Sequence, residues 1–162
     1  MDAIPLAARV GERMIASCRI LTTAESCTGG LIAAAVTAVP GSSAWFDRTF
    51  VTYSNLAKQE LLGVRPSTLE RHGAVSGETV REMAEAALCR SHADISVAVS
   101  GIAGPGGGTP EKPVGTVWVA WAGRWFETEA RCHHFFGDRE MVREQTVVTA
   151  LEGVLRQLDR GL

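Results

Sequence analysis

The sequence has no long apolar run and no block of like charges. No stretch reaches the roughly 18 consecutive apolar residues that a membrane-spanning helix needs. Residues 1–14 mix acids and bases and lack the apolar centre of a signal peptide. The formal net charge is −2, whereas a nucleic-acid-binding domain usually carries a basic face. These absences argue against a membrane protein and against a nucleic-acid binder, and we expect a cytoplasmic protein.

The cysteines also lack a pattern. The chain has four, and none belongs to a C-x-x-C motif. Four cysteines scattered through a chain of this size fit reduced thiols better than a disulfide framework. Cys132, His133 and His134 could be considered as zinc ligands, but neighbouring residues of a strand point to opposite faces and cannot easily converge on one metal. We therefore predict no metal site.

Strand patterns alternate with helix patterns along the chain. Apolar, branched residues predict buried strands at 19–24, 50–53 and 95–99, and two further strands at 114–122 and 125–136 form a hairpin. Amphipathic spacing and capping residues predict helices between them, including a short turn opened by a capping box at 67–70. This order predicts a three-layer α/β/α sandwich with a mixed, mostly parallel sheet that ends in an antiparallel hairpin. No linker or repeat divides the chain, so we expect a single domain over residues 1–162.

Three polar loops follow the predicted buried strands. They cover residues 25–30, 53–58 and 100–113, and the last of them is rich in glycine and proline. In open α/β sheets, ligands bind at the carboxyl ends of the strands. The three loops are therefore expected to meet at one site, although they lie far apart in the sequence.

The first loop, ESCTGG, leads into a helix of small residues. Backbone N–H groups and a hydroxyl at a helix N-terminus favour an anion or a developing oxyanion. Ser26 and Thr28 could equally cap the helix, and the local sequence leaves both interpretations open. Gly29 and Gly30 favour a ligand slightly, because they allow close approach to the backbone. Cys27 is a rival nucleophile, but free cysteines are commonly small core residues, and we favour that interpretation.

The other segments offer a base and anion contacts. Lys58 would lie in the first turn of a helix, where the helix dipole lowers the pKa of a lysine, although most lysines are solvated at the surface. Ser100 and Gly101 could supply hydrogen-bond donors to a substrate. Arg139 and Arg143 lie four residues apart at the start of the last helix, where they could hold a phosphate or remain surface charges.

Six segments together resemble the CinA C-terminal domain family, the nicotinamide mononucleotide deamidases. They occur in the family's order and cover most of the chain: AESCTGGLIAA (24–34), VPGSSAWF (39–46), VTYSNLAKQELLGV (51–64), GAVS (73–76), SGIAGPGGGTPEKPVGTVW (100–118) and FGDREMVR (136–143). One such motif would be weak evidence, but six in order identify the chain as a member of this family.

The resemblance implies an enzyme that hydrolyses the carboxamide of nicotinamide mononucleotide to nicotinic acid mononucleotide and ammonia. It implies a Ser–Lys pair, in which neutral Lys58 activates Ser26, an acyl-enzyme intermediate forms and Tyr53 orients the pair or the substrate. No metal or organic cofactor is implied. The candidate substrate contacts are Thr28, Gly29, Gly30, Asn55, Ser100, Gly101 and Arg143, with Arg143 directed at the phosphate.

Two positions depart from the family's usual pattern. Ser100 replaces a threonine and keeps the hydroxyl. Thr49 stands near a position where the family usually has glycine, and a positive φ there would strain the backbone. Two alternatives therefore remain, an amidase for another small substrate and a catalytically silent nucleotide-binding domain. We also expect a homodimer or a higher homo-oligomer, from the general frequency of symmetric assemblies.

Overall fold

The computed structural model of the chain describes residues 3–160. Within these residues one sheet contains five strands: β1 (Leu21–Glu25), β2 (Phe46–Val51), β3 (Ile95–Gly101), β4 (Thr116–Gly123) and β5 (Phe126–His134). Their spatial order is β2-β1-β3-β4-β5. β1 pairs in parallel with β2 and β3, whereas β4 is antiparallel to β3 and to β5. The predicted mixed sheet with a terminal antiparallel hairpin is confirmed.

Helices cover both faces of this sheet. The α-helices of the described range are α1 (Ala3–Ala16), α2 (Leu31–Thr37), α3 (Asn55–Leu62), α4 (Pro66–His72), α5 (Gly77–Cys89) and α6 (Arg139–Arg160). α1, α2 and α6 pack together on one face, and α3 and α4 pack against α5 on the other. The three-layer sandwich is therefore confirmed. None of the helices between residues 3 and 160 is long and apolar enough to cross a membrane.

Each face of the sheet has its own apolar core. On the α6 side, the core includes Met14, Ile32 and Trp121, all fully buried. On the α5 side, it includes Val80 and Met83. Burial of an aliphatic or aromatic side chain contributes about 1.5–3 kcal/mol, so the two cores fix the positions of the helices that carry the polar residues described below.

The second strand lies earlier in the sequence than predicted. The pattern placed it at 50–53, but β2 ends at Val51, and Tyr53 lies in the connection to α3. Residues 46–49 read FDRT and resemble a loop, yet β2 is an edge strand, where polar side chains are tolerated. Thr49 lies inside β2, and Cys18 is the one non-glycine residue with positive φ in the described range. The strain considered at Thr49 therefore does not arise.

Serine side chains cap two of the helices. Ser54 accepts a hydrogen bond from the Ala57 N–H at the start of α3, and Ser76 accepts one from the Thr79 N–H at the start of α5. The capping box at 67–70 was wrong. α4 already begins at Pro66, whose fixed φ suits the first helical position, and its N-cap residue makes no side-chain capping bond.

Candidate functional site

The three polar loops meet at the carboxyl ends of β1, β2 and β3. These strands run parallel, so their ends lie at the same edge of the sheet. The loops enclose a cavity of about 220 Å³. The residues that line it are Ser26, Cys27, Tyr53, Asn55, Lys58, Ala74, Val75, Ser100, Gly101, Ala103 and Arg139.

Ser26 and Lys58 are in direct contact in this cavity. The Lys58 Nζ lies 3.0 Å from the Ser26 Oγ and donates to the Thr52 carbonyl oxygen at 2.8 Å. Lys58 is only 1% exposed, although it belongs to the first turn of α3. A serine hydroxyl within hydrogen-bonding distance of a buried amine is the arrangement in which a base can activate a nucleophile.

Burial lowers the pKa of Lys58 below its ordinary value. The opposing contribution is attraction to a Cys27 thiolate. Burial raises the pKa of Cys27 to about 11, so this thiol is neutral at physiological pH and that attraction is absent. Lys58 also forms no ion pair within residues 3–160. Each of these features favours the neutral amine, which is the form that can accept a proton.

Glu25, rather than Ser26 or Thr28, caps α2. The Glu25 carboxylate is fully buried and accepts the backbone N–H groups of Ile32 at 2.9 Å and Ala33 at 3.0 Å. Ser26 is therefore free of the capping role that its sequence position allowed. The Thr28 hydroxyl donates to Glu25 at 2.6 Å and is fully buried, so it does not line the cavity. Sequence reasoning missed Glu25. Its position at the end of a buried strand was a usable signal, because a buried carboxylate needs hydrogen-bond donors or an ionic partner.

Within residues 3–160, two backbone N–H groups of the turn after Ser26 have no oxygen acceptor. Gly29 N–H donates to the Ser26 carbonyl, and Gly30 N–H donates to Glu25. Both glycines have positive φ, +58° and +103°, which explains glycine at these positions. The N–H groups of Cys27 and Thr28 donate to no oxygen of the described residues. They are therefore the available donors for an oxyanion beside Ser26.

Arg143 holds this turn from the α6 side. Its Nε donates to the Cys27 carbonyl at 3.1 Å, and its guanidinium also donates to the Thr28 carbonyl at 3.2 Å. The C=O and N–H groups of a trans peptide unit point in opposite directions. The Thr28 N–H belongs to the same peptide unit as the Cys27 carbonyl and therefore points away from Arg143. The Arg143 side chain itself does not line the cavity.

Arg139, one turn earlier on α6, does line the cavity. Its guanidinium donates to the Tyr53 hydroxyl at 3.0 Å and to the Gly104 carbonyl at 2.8 Å. Tyr53 is 61% exposed, so this pair lies at the mouth of the site. The sequence offered both arginines as phosphate contacts and the resemblance favoured Arg143, whereas the structure brings Arg139 to the cavity.

Three more of the predicted substrate contacts line the cavity. Asn55 and Ser100 line the cavity, at the start of α3 and near the end of β3. Gly101 lines it as well, and a Cβ there would lie 2.5 Å from Val117 Cγ2 and 3.0 Å from the Thr116 carbonyl oxygen. The close approach of β4 therefore explains this glycine.

Cys132, His133 and His134 do not converge. The Cys132 Sγ lies 3.8 Å from His134 Nε2, while the His133 ring stacks on Phe135. This alternation is the one expected for consecutive residues of a strand. Within residues 3–160 no group of three or more His, Cys, Asp or Glu side chains is arranged to hold a metal ion.

Comparison with known proteins gives a consistent result. The model of the CinA C-terminal domain matches residues 3–158. A protein of Enterobacter agglomerans named nicotinamide-nucleotide amidohydrolase PncC is 55% identical over 152 residues, covering 94% of this chain and 93% of its own length. The protein of the same name from Escherichia coli K12 is 51% identical over 156 residues, covering 96% and 94%. The crystal structure of the competence/damage inducible protein CihA from Agrobacterium tumefaciens superimposes with a TM-score of 0.93 at 48% identity, covering 98% of this chain and 96% of that one.

Proposed function

This chain belongs to the CinA C-terminal domain family, and we propose that it hydrolyses the carboxamide of nicotinamide mononucleotide with Ser26 as nucleophile and Lys58 as base. The chain is an enzyme, a nicotinamide-nucleotide amidohydrolase, as its close relatives are named. The observation that carries the mechanism is the 3.0 Å contact between the Ser26 hydroxyl and the buried Lys58 amine.

In the first half-reaction, neutral Lys58 removes the proton from Ser26 while the Oγ attacks the carboxamide carbon. The negative charge that develops on the amide oxygen is stabilised by the free N–H groups of Cys27 and Thr28. The Lys58 ammonium then gives its proton to the amide nitrogen. The C–N bond breaks, ammonia leaves and the acyl group remains as an ester on Ser26.

In the second half-reaction, water attacks the ester carbon and Lys58 accepts its proton. The tetrahedral intermediate collapses, and the Ser26 oxygen recovers a proton from Lys58 as the carboxylic acid leaves. The product loses its proton to solvent as nicotinic acid mononucleotide. The same lysine therefore serves as base and acid in both halves of the cycle.

The mouth of the cavity suits a phosphorylated substrate. Arg139 offers a guanidinium there, and guanidinium groups bind phosphate through paired hydrogen bonds. Tyr53 lies beside it and would contact the substrate, while Asn55, Ser100 and Gly101 supply further contacts along the wall. Gly29 and Gly30 shape the turn, and Thr28 contributes its backbone rather than its buried hydroxyl. Arg143 positions the turn and does not bind the phosphate in this proposal.

The test is ammonia release from nicotinamide mononucleotide by the purified protein and by Ser26→Ala and Lys58→Ala. Removal of a general base typically lowers the rate by about 10²–10⁴-fold, and we expect both variants to lose at least that much. Ser43→Ala is the control, since Ser43 is exposed and does not line the cavity. Hydroxylamine should trap the Ser26 ester as a hydroxamate.

A folded wild type that releases no ammonia would contradict this substrate. Labelling of Ser26 by a fluorophosphonate would then favour an amidase for another small molecule. Binding of nicotinamide mononucleotide without such labelling would favour the silent nucleotide-binding domain.

A further inference from the structure

The carboxylate of Glu25 is the most heavily hydrogen-bonded group beside the cavity, yet it takes no direct part in the proposed reaction. Its two oxygens accept five hydrogen bonds, from three backbone N–H groups and the hydroxyls of Thr28 and Thr49, and the Thr23 hydroxyl lies 3.4 Å from Oε2. No lysine or arginine forms an ion pair with it within residues 3–160. The charge is thus held entirely by dipoles, and it does not oppose the neutral form of Lys58 through a direct pair.

A pair of threonines fixes the Oε2 atom of this carboxylate. The Thr49 hydroxyl lies 3.3 Å from Glu25 Oε2, and the Thr23 hydroxyl lies 2.7 Å from the Thr49 oxygen. Thr23 and Thr49 are register partners on β1 and β2. Thr23 can therefore donate to Thr49 while Thr49 donates to Glu25, which links the edge strand to the residue before the nucleophile.

We infer that Glu25 is a positioning residue for Ser26 and that Thr49 orients Glu25; the inference rests on the proposed function. Glu25 is the last residue of β1 and its carboxylate accepts N–H groups of α2, while Ser26, the next residue, lines the cavity. Through Thr28, Gly30 and the first turn of α2, Glu25 holds the turn that follows Ser26. That turn carries the Thr28 N–H proposed for the oxyanion. Misplacement of reacting groups by about 1 Å can lower a rate by about 10²-fold.

The first test replaces Thr49 by valine, which keeps the shape and removes the hydroxyl. We expect kcat for ammonia release to fall about 5- to 10-fold with KM unchanged, because the lost hydrogen bond affects the reacting atoms only indirectly, through Glu25 and the turn. Labelling of Ser26 by a fluorophosphonate should slow by a similar factor. Thr49→Ser should restore both rates to within about twofold. Thr22→Val is the matched control, since it removes a buried β1 hydroxyl that donates to the Arg48 carbonyl and not to Glu25.

The second test is Glu25→Gln with hydrogen–deuterium exchange. We expect faster exchange at residues 28–33 and a larger fall in kcat than in Thr49→Val. Unchanged rates in a folded Thr49→Val, or equal losses in Thr49→Val and Thr22→Val, would overturn the inference while the proposed function stands. Faster exchange with unchanged kcat and labelling would also overturn it, because the network would then serve stability alone. A wild type without ammonia release or labelling would overturn the proposed function, and this inference with it.

Discussion

Arg139 and Arg143 lie one helical turn apart on α6 but contact different parts of the site. Arg139 lines the cavity and contacts Tyr53, whereas Arg143 donates to the carbonyl groups of the turn after Ser26. The two guanidinium groups should therefore affect different kinetic constants. Interactions equal in ground and transition state change KM, and interactions made only in the transition state change kcat.

Arg139→Ala should raise KM for nicotinamide mononucleotide by about 10- to 100-fold, the range expected when a charged hydrogen bond is lost. The same variant should barely change kcat/KM for nicotinamide riboside, which has no phosphate. Steady-state kinetics with both substrates measures this difference. An equal loss with both substrates would contradict the phosphate contact.

Arg143→Lys provides the matched comparison for this prediction. Lysine keeps the charge but cannot donate to two carbonyl groups in the planar geometry of arginine. It should lower kcat for both substrates by a similar factor and leave their ratio unchanged. A fall in rate with nicotinamide mononucleotide alone would instead indicate that Arg143 binds the phosphate, as the resemblance implied.

The sequence named the proposed nucleophile and base, but it did not indicate the residues that hold them. The resemblance named Ser26 and Lys58, and the structure brings these two into contact. Glu25 was missed because capping residues are recognised as short polar side chains next to the helix, whereas Glu25 reaches α2 from the end of β1. The two arginines share a helix face, and no local pattern tells which one points into the cavity.

At the scale of secondary structure, α6 makes one especially close contact with β4 of the sheet. Gly153 lies against Trp121 of β4, where a Cβ would overlap the indole ring. The indole cannot easily move, because its N–H donates to the Ala150 carbonyl at 3.0 Å and the ring is fully buried. The same helix carries Arg139 and Arg143 in its first two turns.

Gly153→Ala should lower the free energy of unfolding by about 1–3 kcal/mol, the usual cost of overpacking a core. The sign of this change in the free energy of unfolding is informative, because replacing glycine by alanine in an exposed helix stabilises a protein by about 0.8–1 kcal/mol. Urea unfolding measures it, with the exposed neighbour Glu152→Ala as control. An increase in stability would mean that α6 moves away from β4 at little cost.

The order of elements was predictable, but some of their ends were not. Alternating strand and helix patterns predicted the sandwich and the hairpin. The prediction placed β2 too late in the sequence, because an edge strand need not be apolar and the polar residues Asp47 and Arg48 resembled a loop. The predicted start of α4 was too late, because the helix begins at Pro66 and its N-cap residue makes no side-chain capping bond. Local patterns identify elements well when burial fixes their side chains, and poorly at edges and ends.

At the scale of the whole molecule, the site combines all three layers. Ser26 follows a strand of the sheet, Lys58 comes from a helix on one face and Arg139 from a helix on the other. Folding therefore both creates the Ser–Lys contact and removes Lys58 from water. Because burial lowers the pKa of Lys58, the unfolded chain binds a proton that the folded protein lacks, at pH values between the lowered pKa and the ordinary value.

This difference predicts how stability depends on pH. When the unfolded state binds more protons, the free energy of unfolding rises with pH. The wild type should therefore gain stability relative to Lys58→Met as the pH increases from the lowered pKa towards 10.5, the ordinary value for lysine. The gain can reach about 1.4 kcal/mol per pH unit. Methionine has a similar length and no charge, so the other titrating groups contribute equally to both proteins.

Urea unfolding of both proteins at a series of pH values between 6 and about 10 measures the difference. The wild-type curve should rise relative to the Lys58→Met curve, and the pH at which the rise begins gives the pKa of Lys58 in the folded protein. That value should agree with the acidic limb of kcat/KM, because both measurements report proton loss from the same amine in the free enzyme. Parallel stability curves would mean that Lys58 keeps its proton in the folded protein, and a protonated lysine cannot act as the base for Ser26.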